Sequence, residues 1–231
     1  MELLRIISIQ DFSNYILPES GESSTFIFHN TKYYLVLPLE KNGDPHEKET
    51  RLKNTIATTS GDWLVSCWHS LENEDKNKDI QTFFELYTQN NDIAILSTVD
   101  DVKKIASQGS YFLEKGIFQE FKDAKISYYT DDDAPPEAAE MPNYCLESPF
   151  RKLKEFQGKK YFLDKEYRFG YRISSKVSLA CVVFYVNPFE YIKKIYINPL
   201  RKDDEKRRLS DRILVRLLCW GMDSKILVEN M

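Results

Sequence analysis

The sequence predicts an α+β fold with a mixed, mostly antiparallel sheet flanked by helices. Strand-like segments outnumber helical ones, and several neighbouring strand segments lack the intervening helix that a parallel crossover needs. The clearest period-two alternation runs from Tyr161 to Ile173. The chain has 231 residues, of which 42% are hydrophobic and 13% aromatic, enough for a substantial core. We expect a single domain over residues 1–231, with an acidic loop at 130–147.

The first part of the chain predicts strands joined by turns. Residues 1–40 have this character, with a hairpin formed by residues 24–29 and 32–37. Asp44 and Pro45 predict the start of a short helix over about 45–56, as N-cap and first helical residue. The apolar run from Trp63 to His69 predicts a strand that is buried on both sides.

The middle of the chain alternates between helical and extended patterns. Ile80, Phe83, Phe84 and Tyr87 follow the i, i+3, i+4, i+7 spacing of an amphipathic helix. The other elements predicted here are a strand at 92–97, a helix capped by Thr98 that ends near Ser107, and a strand at 125–129. Residues 109–125 favour neither helix nor strand.

The last part of the chain is mostly strand, with one long helix. Residues 130–147 carry six acidic residues and no basic one, which predicts a loop without secondary structure. In chain order, the next predicted elements are a helix from Ser148–Pro149 to about Phe156, the alternating strand up to Ile173 and a central strand at 176–186. They are followed by a strand at 194–198, a helix at 203–220 and an edge strand at 225–228.

Composition excludes several classes of protein. The formal net charge of −4 does not indicate a dedicated nucleic-acid binder. The absence of a glycine-rich phosphate loop argues against a glycine-loop nucleotide fold. No segment resembles a signal peptide or a transmembrane helix, and we expect a cytoplasmic protein with no membrane partner. The cysteines form no C-x-x-C pair, and we expect Cys67, Cys181 and Cys219 to be reduced and inaccessible because their neighbours are apolar.

The alternating strand carries a row of charge on one face. Asp164, Glu166 and Arg168 follow one another at two-residue spacing and are ~7 Å apart, and Arg172 lies four residues further along the same face. Such a row suits a site for a polar ligand. The alternative is a solvated strand face with ion pairs worth about 0–1 kcal/mol each.

Other chemistry is only weakly indicated. Asp44, His46, Glu47 and His69 could ligate a metal, but their spacing fits no known ligand set, and we assign no metal site and identify no cofactor. Cys67 and His69 share a strand face, where a packed thiol is a simpler reading than a catalytic dyad. The basic residues between 201 and 216 could bind phosphate, although nearby Asp and Glu residues balance them.

An ordered set of short motifs resembles a bacterial domain-of-unknown-function family, DUF twenty-nine seventy-one, over about residues 40–200. The matching pieces are Asp44-Pro45-His46-Glu47, Ser66-Cys67-Trp68-His69, Phe84 with Tyr87, Asp92 to Ile95, and Asp164-x-Glu166-x-Arg168. The family has Phe at position 46, Trp at position 84 and Glu at position 164. The resemblance implies that Asp44, Glu47, Tyr87, Glu166 and Arg168 converge on one cleft.

Two classes of function follow from these residues. The first is an enzyme acting on an anionic or nucleotide-like small substrate, with ADP-ribosyl transfer as the concrete version. Glu166 would then be catalytic with Asp164 assisting, Arg168 would clamp a phosphate, and Asp44, Glu47 and Tyr87 would bind substrate. The second is a non-catalytic ligand-binding or sensor module in bacterial stress or phage defence. A metal-dependent nuclease, suggested by Glu166-x-Arg168, is a further alternative. The oligomeric state is open.

Overall fold

The computed structural model describes residues 1–18, 24–30, 62–86, 92–110, 117–129, 132, 146, 150–152, 155–156, 159–160, 165–174, 177, 179, 181–221 and 226–230. The helices in these ranges are α1 (Ile9–Asp11, continued by a π-helical turn over Phe12–Ile16), α2 (Lys76–Leu86), α3 (Val99–Ser110) and α4 (Asp203–Cys219). The strands are β1 (Glu2–Ile7), β2 (Ser24–Asn30), β3 (Asp62–Ser70), β4 (Ile93–Thr98), β5 (Phe118–Lys125), β6 (Ser127–Tyr129), β7 (Phe150–Lys152), β8 (Glu155–Phe156), β9 (Lys159–Lys160), β10 (Glu166–Ile173), β11 (Cys181–Val186), β12 (Lys194–Ile197) and β13 (Leu227–Asn230).

The described strands pair mostly antiparallel, which confirms the predicted α+β fold. Among the strand pairs with a described register, β6–β7 and β12–β13 are parallel. The chain divides into two compact units. Unit 1 comprises Met1–Phe26, Trp68–Phe112 and Val183–Met231, and unit 2 comprises Ile27–Cys67 and Leu113–Val182. The single-domain organisation stays a prediction. No helix among the described residues is long and apolar enough to cross a membrane.

The strands of unit 1 lie in the order β3, β1, β4, β12, β13. Only the last residues of β3, from Trp68 onwards, belong to this unit. The register places Ile95 opposite Ile195 and Ile93 opposite Ile197, and all four side chains are at most 1% exposed. These isoleucines therefore form a continuous apolar patch at the centre of the unit. The predicted strands at 92–97 and 194–198 are confirmed.

The helices of unit 1 contribute the apolar stripes that the sequence predicts. Ile80, Phe83 and Phe84 of α2 are buried, and the Phe83 ring stacks on His69 with centroids 4.8 Å apart. Ile213 and Leu217 of α4 are also buried. The helix predicted at 203–220 is thus confirmed, and the helix predicted to contain Ile80 is confirmed up to Leu86.

Capping explains where two helices begin. The Thr98 hydroxyl accepts from the backbone N–H of Asp101 at 3.1 Å, as predicted for the N-cap of α3. The Ser8 hydroxyl accepts from the N–H of Asp11 at 2.9 Å and donates to its carboxylate at 2.8 Å. The prediction of only strands and turns over residues 1–40 is therefore wrong at 9–16, where this cap starts a helix.

Unit 2 is built on β2, β3, β10 and β5, in that pairing order. β10 and β5 pair antiparallel along nearly their whole length, from Tyr167 opposite Lys125 to Ile173 opposite Phe118. Tyr171 of β10 packs against the rings of Phe28, Phe118 and Phe121, at centroid distances of 5.2, 5.9 and 5.0 Å. This aromatic cluster holds one face of β10 against its neighbours.

One prediction made for unit 2 is wrong, and another is met except at a single residue. The helix predicted from Ser148–Pro149 to Phe156 does not form, because Phe150–Lys152 pairs with Ser127–Tyr129 and Glu155–Phe156 pairs with Lys159–Lys160. The hydrogen bonds of these strand pairs therefore outweigh the local helix-capping signal of Ser148–Pro149. The predicted strand at 125–129 is interrupted at Ile126, whose N–H donates to the Glu166 carbonyl at 2.8 Å.

The strand around Cys181 and two of the cysteines also differ from expectation. β11 is the terminal strand of its sheet among the described strands and exposes alternate residues, so it is not central. Cys181 lies on its exposed row. Cys219 is exposed because it follows buried Leu217 by two positions, ~200° around the helix. The inaccessibility predicted for these two thiols is wrong, and Cys67 is half-buried.

Several predictions fall on residues outside those described. They concern the second strand of the N-terminal hairpin, the helix at 45–56 and almost all of the acidic loop at 130–147, from which only Asp132 and Leu146 are described. These stay predictions.

Candidate functional site

The two charged residues at the centre of the predicted row form a buried ion pair in unit 2. Glu166 is 5% exposed and Arg168 is 3% exposed. Nε of Arg168 donates to Oε1 of Glu166 at 2.6 Å, and Nη2 donates to Oε2 at 2.8 Å. The strand period brings both side chains to one face of β10, and the guanidinium fork then matches both carboxylate oxygens.

Burial decides between the two readings of the charged row. A solvated face would leave both side chains in water, with little gained from the pair. Here both charges are removed from water, which costs several kcal/mol per ion before their attraction offsets it. The solvated-face alternative is therefore wrong for Glu166 and Arg168. Arg172, further along the row, is half-buried.

The neighbouring β5 carries a surface pair with the same spacing. Glu120 and Lys122 are also two residues apart on a strand, and their charged atoms are 3.1 Å apart. Each of these side chains is 40% exposed. Identical spacing thus produces one exposed pair and one buried pair, and only the fold distinguishes them.

The face of β10 that carries the ion pair also contains a close approach at Gly170. A Cβ added there would overlap Cδ1 of Leu146 and lie 3.1 Å from both the Leu64 carbonyl oxygen and Cε3 of Trp63. Glycine is therefore required for β3 and Leu146 to approach β10 this closely. Leu146, Trp63 and Val65 form a buried apolar cluster on this face.

Trp63 adds a polar group that the sequence did not single out. Its side chain is 3% exposed, and its indole Nε1 has no hydrogen-bond acceptor within the described part of the chain. A buried Trp N–H usually has a partner, so this donor is a candidate for contact with a ligand. The continuous apolar run from Trp63 to His69 predicts a strand there, but the position of Trp63 beside Gly170 depends on the pairing of β3 with β10.

The other predicted site residues are not brought together by the described structure. Asp164, Asp44, Glu47 and Tyr87 lie outside the described residues, so their convergence with Glu166 and Arg168 stays a prediction. The opposite face of β10 is apolar as predicted, with Tyr167, Phe169, Tyr171 and Ile173 all buried. There the Tyr167 hydroxyl donates to the Asp123 carboxylate. Burial raises the pKa of Tyr171 above its ordinary range, so its hydroxyl stays neutral.

Cys67 and His69, the two residues of the possible catalytic dyad, make packing contacts with apolar side chains. Cys67 packs against the cluster of Trp63, Val65 and Leu146, and His69 stacks on Phe83 as described above. Within the described ranges no group of three potential metal ligands occurs.

The basic residues of α4 are balanced by the acidic first turn of the same helix. Lys206 lies 3.9 Å from Asp203, and Arg208 lies 3.7 Å from Asp204. Arg216 is different, because it is buried near the end of the helix. The described contacts of Lys206 and Arg208 are therefore those of an ordinary helix surface with weak i,i+3 and i,i+4 pairs.

No protein-family model matches this sequence. Comparisons with curated proteins and with solved structures also return no significant match. The resemblance to the domain-of-unknown-function family therefore stays a prediction, and the candidate site rests on the geometry of unit 2.

Proposed function

We propose that the protein binds a small anionic, nucleotide-like ligand through Arg168, with Glu166 holding the guanidinium in the ligand-free state. The observation that carries the proposal is the two-hydrogen-bond contact within a pair that is at most 5% exposed. A phosphate oxygen pair presents nearly the same geometry to a guanidinium as a carboxylate does. The Glu166 carboxylate therefore occupies the position that a ligand phosphate would take.

Energetics support a functional role for this pair. A buried ion pair adds little net stability compared with apolar residues of the same size, so stability alone is a weak reason for its presence. Titratable groups held in unusual, buried charge environments cluster where a protein binds or reacts with a ligand. The buried indole N–H of Trp63 on the same face of unit 2 supplies a second donor and an aromatic ring.

The geometry supports a binding module better than a catalyst in the ligand-free state. Both carboxylate oxygens of Glu166 accept hydrogen bonds from Arg168, so the carboxylate charge is already neutralised. In the enzymatic version, ADP-ribosyl transfer, the ligand phosphate would take Arg168 and release Glu166. The freed carboxylate, with Asp164 assisting, would then stabilise positive charge on the ribosyl ring as the bond to the leaving group lengthens.

The test compares the buried Glu166–Arg168 pair with the exposed Glu120–Lys122 pair. The double substitution Glu166→Gln with Arg168→Gln removes both charges of this buried pair together. The matched control, Glu120→Gln with Lys122→Gln, removes the exposed pair of equal spacing. Thermal unfolding is measured with ADP-ribose, NAD and inorganic phosphate as probes.

We expect ADP-ribose or NAD to raise the Tm of the wild type and of the control by several degrees, and to leave the buried-pair variant unchanged. A shift retained in the buried-pair variant would contradict the proposal, as would a wild type that none of the three probes stabilises. Nicotinamide release from NAD, measured by chromatography, separates the enzyme from the binding module.

A further inference from the structure

The indole N–H of Trp63 is a second buried donor on the face of unit 2 that carries Glu166 and Arg168. Its side chain is 3% exposed, and Nε1 has no acceptor within the described part of the chain. Trp220, in unit 1, shows the usual arrangement, because its Nε1 donates to the Pro18 carbonyl oxygen at 3.2 Å. A buried donor without an acceptor destabilises the folded chain, so the N–H of Trp63 calls for an acceptor from outside the chain.

The side chains around this donor restrict which acceptor it can take. Trp63 packs with Val65 and Leu146 in one buried cluster, and Cys67 and Ala124 pack against that cluster. None of these side chains is charged, so an anionic group placed here would lose its water without gaining a counter-charge. A hydroxyl group fits less well than a carbonyl oxygen or a ring nitrogen, because its own proton would need an acceptor among apolar side chains. The group that accepts from Trp63 is therefore neutral and mostly apolar.

The position of the indole sets how far a ligand must extend from Arg168. Gly170 lies two residues from Arg168, ~7 Å along the strand. The Trp63 atom that approaches Gly170 is Cε3, at 3.1 Å from a Cβ built there, and it lies on the edge of the indole opposite Nε1. The side chain of Leu146 fills the space at Gly170 itself. A ligand with its anionic group at Arg168 therefore reaches the N–H with a part that extends beyond a phosphate.

We infer that Trp63 recognises the base of a nucleotide whose phosphate is held by Arg168. The inference rests on the proposed function and adds the class of ligand, which is a neutral ring with a hydrogen-bond acceptor joined to an anionic group. Nucleotides combine these two parts, whereas inorganic phosphate and sugar phosphates lack the first. Because the N–H is paired only when the base is bound, Trp63 contributes to the choice of ligand and not to the stability of the free protein.

The test compares nucleotides with a ligand that lacks the base. Isothermal titration calorimetry measures the affinities of the four common nucleoside 5′-monophosphates and of ribose 5-phosphate. We expect the wild type to bind at least one nucleotide roughly tenfold more tightly than ribose 5-phosphate, since a hydrogen bond to a buried donor corresponds to about that factor. Trp63→Phe keeps an aromatic ring and removes the N–H, so it should lose this preference and retain its affinity for ribose 5-phosphate. Trp220→Phe, the matched control in unit 1, should retain both.

Nuclear magnetic resonance follows the indole in the wild-type protein, so its result does not depend on whether a variant folds. A hydrogen bond formed at Nε1 moves the resonance of its proton downfield. We expect the Trp63 signal to move downfield when the nucleotide binds and to stay in place with ribose 5-phosphate. The Trp220 signal should change with neither ligand, because its N–H already has an acceptor.

The outcomes separate this inference from the proposed function. A nucleotide preference that persists in Trp63→Phe, or a Trp63 signal that a bound nucleotide leaves unchanged, would overturn the inference and indicate an internal water at the donor. If nucleotides and ribose 5-phosphate bind equally, and both are lost when Glu166 and Arg168 are replaced, the inference fails and the proposed function stands. If none of these ligands binds, both fail.

Discussion

At the scale of single residues, Glu166 and Arg168 show how position alone changes the energy of a contact. The same two-residue spacing on a strand produces an exposed pair in Glu120–Lys122 and a buried bidentate pair in Glu166–Arg168. A charge left alone after its buried partner is removed cannot be solvated, whereas an exposed charge returns to water. The consequences of substitution should therefore differ by several kcal/mol.

The first prediction is that Glu166→Gln lowers the free energy of unfolding by about 3–5 kcal/mol, because it leaves the Arg168 charge buried with a neutral partner. The control Glu120→Gln, on an exposed pair, should change it by about 0–1 kcal/mol. Urea denaturation of both variants makes the measurement. From the spacing of the charged residues in the sequence, Glu166→Gln is expected to leave the fold nearly intact. The burial of the pair predicts a large loss of stability instead. Equal effects in the two variants would show that burial of the pair does not matter.

The second prediction concerns the close approach at Gly170. Gly170→Ala should destabilise the protein by about 1–3 kcal/mol, because the added methyl group overlaps Leu146 and approaches the Leu64 carbonyl oxygen. Leu146→Ala is destabilising by itself because Leu146 is buried, but combined with Gly170→Ala it should cost less than the sum of the two single losses, since it removes the overlapping atom. Additive effects in a double-mutant cycle would mean that the two side chains do not meet.

At the scale of elements, local capping and long-range pairing compete, and the outcome depends on what lies opposite. Thr98 caps α3 as its sequence predicts, because the residues that follow have an apolar stripe to bury. Ser148–Pro149 carries a similar helix-capping signal, but the residues that follow, Phe150–Lys152, pair with β6. A cap contributes only about 1 kcal/mol, which a few strand contacts exceed.

The third prediction is that Thr98→Ala destabilises the protein by about 0.5–2 kcal/mol through loss of the cap to the Asp101 N–H. Thr82→Ala is the control. The Thr82 hydroxyl donates to the Lys78 carbonyl on the exposed side of α2, where alanine is the better helix former. It should therefore be neutral or slightly stabilising in the same chemical denaturation experiment. If Thr98→Ala leaves the free energy of unfolding unchanged, the hydroxyl of Thr98 does not stabilise the start of α3.

At the scale of the whole molecule, the aromatic core links stability to pH. Burial raises the pKa of Tyr191 to about 12, and this side chain is 1% exposed. A tyrosine in the unfolded chain ionises near pH ~10. Between these values the unfolded state has lost a proton that the folded state retains, so stability falls as pH rises through this window.

The fourth prediction is that the free energy of unfolding falls by about 1.4 kcal/mol per pH unit between pH ~10 and ~12 on account of Tyr191. Below that window the contribution of Tyr191 is fully present. Tyr191→Phe keeps the ring and removes the ionisable hydroxyl, so its stability should fall less steeply over the same range. Parallel profiles for the two proteins, measured by urea denaturation at each pH, would contradict the assignment.

Periodicity determined much of the architecture in advance. Each pattern formed the element that it predicts. The strands are the alternation from Tyr167 to Ile173 and the apolar run from Trp63 to His69, and the helices are those with apolar stripes around Phe83 and Ile213. Side-chain period is a local property of a helix or strand, so a sequence window contains it. The same alternation placed Glu166 and Arg168 on one face of β10.

Tertiary structure alone decided which faces lie in water. Both faces of β10 are buried except at Arg172, although an exposed polar face was an equal alternative. Among the described strands β11 is a terminal one, although its composition suggests a centre. Phe118–Lys125 becomes a strand because β10 pairs with it, not because of its own pattern. Burial and strand order depend on partners far along the chain, and the energy of desolvating a charge or covering an edge appears only once those partners are in place.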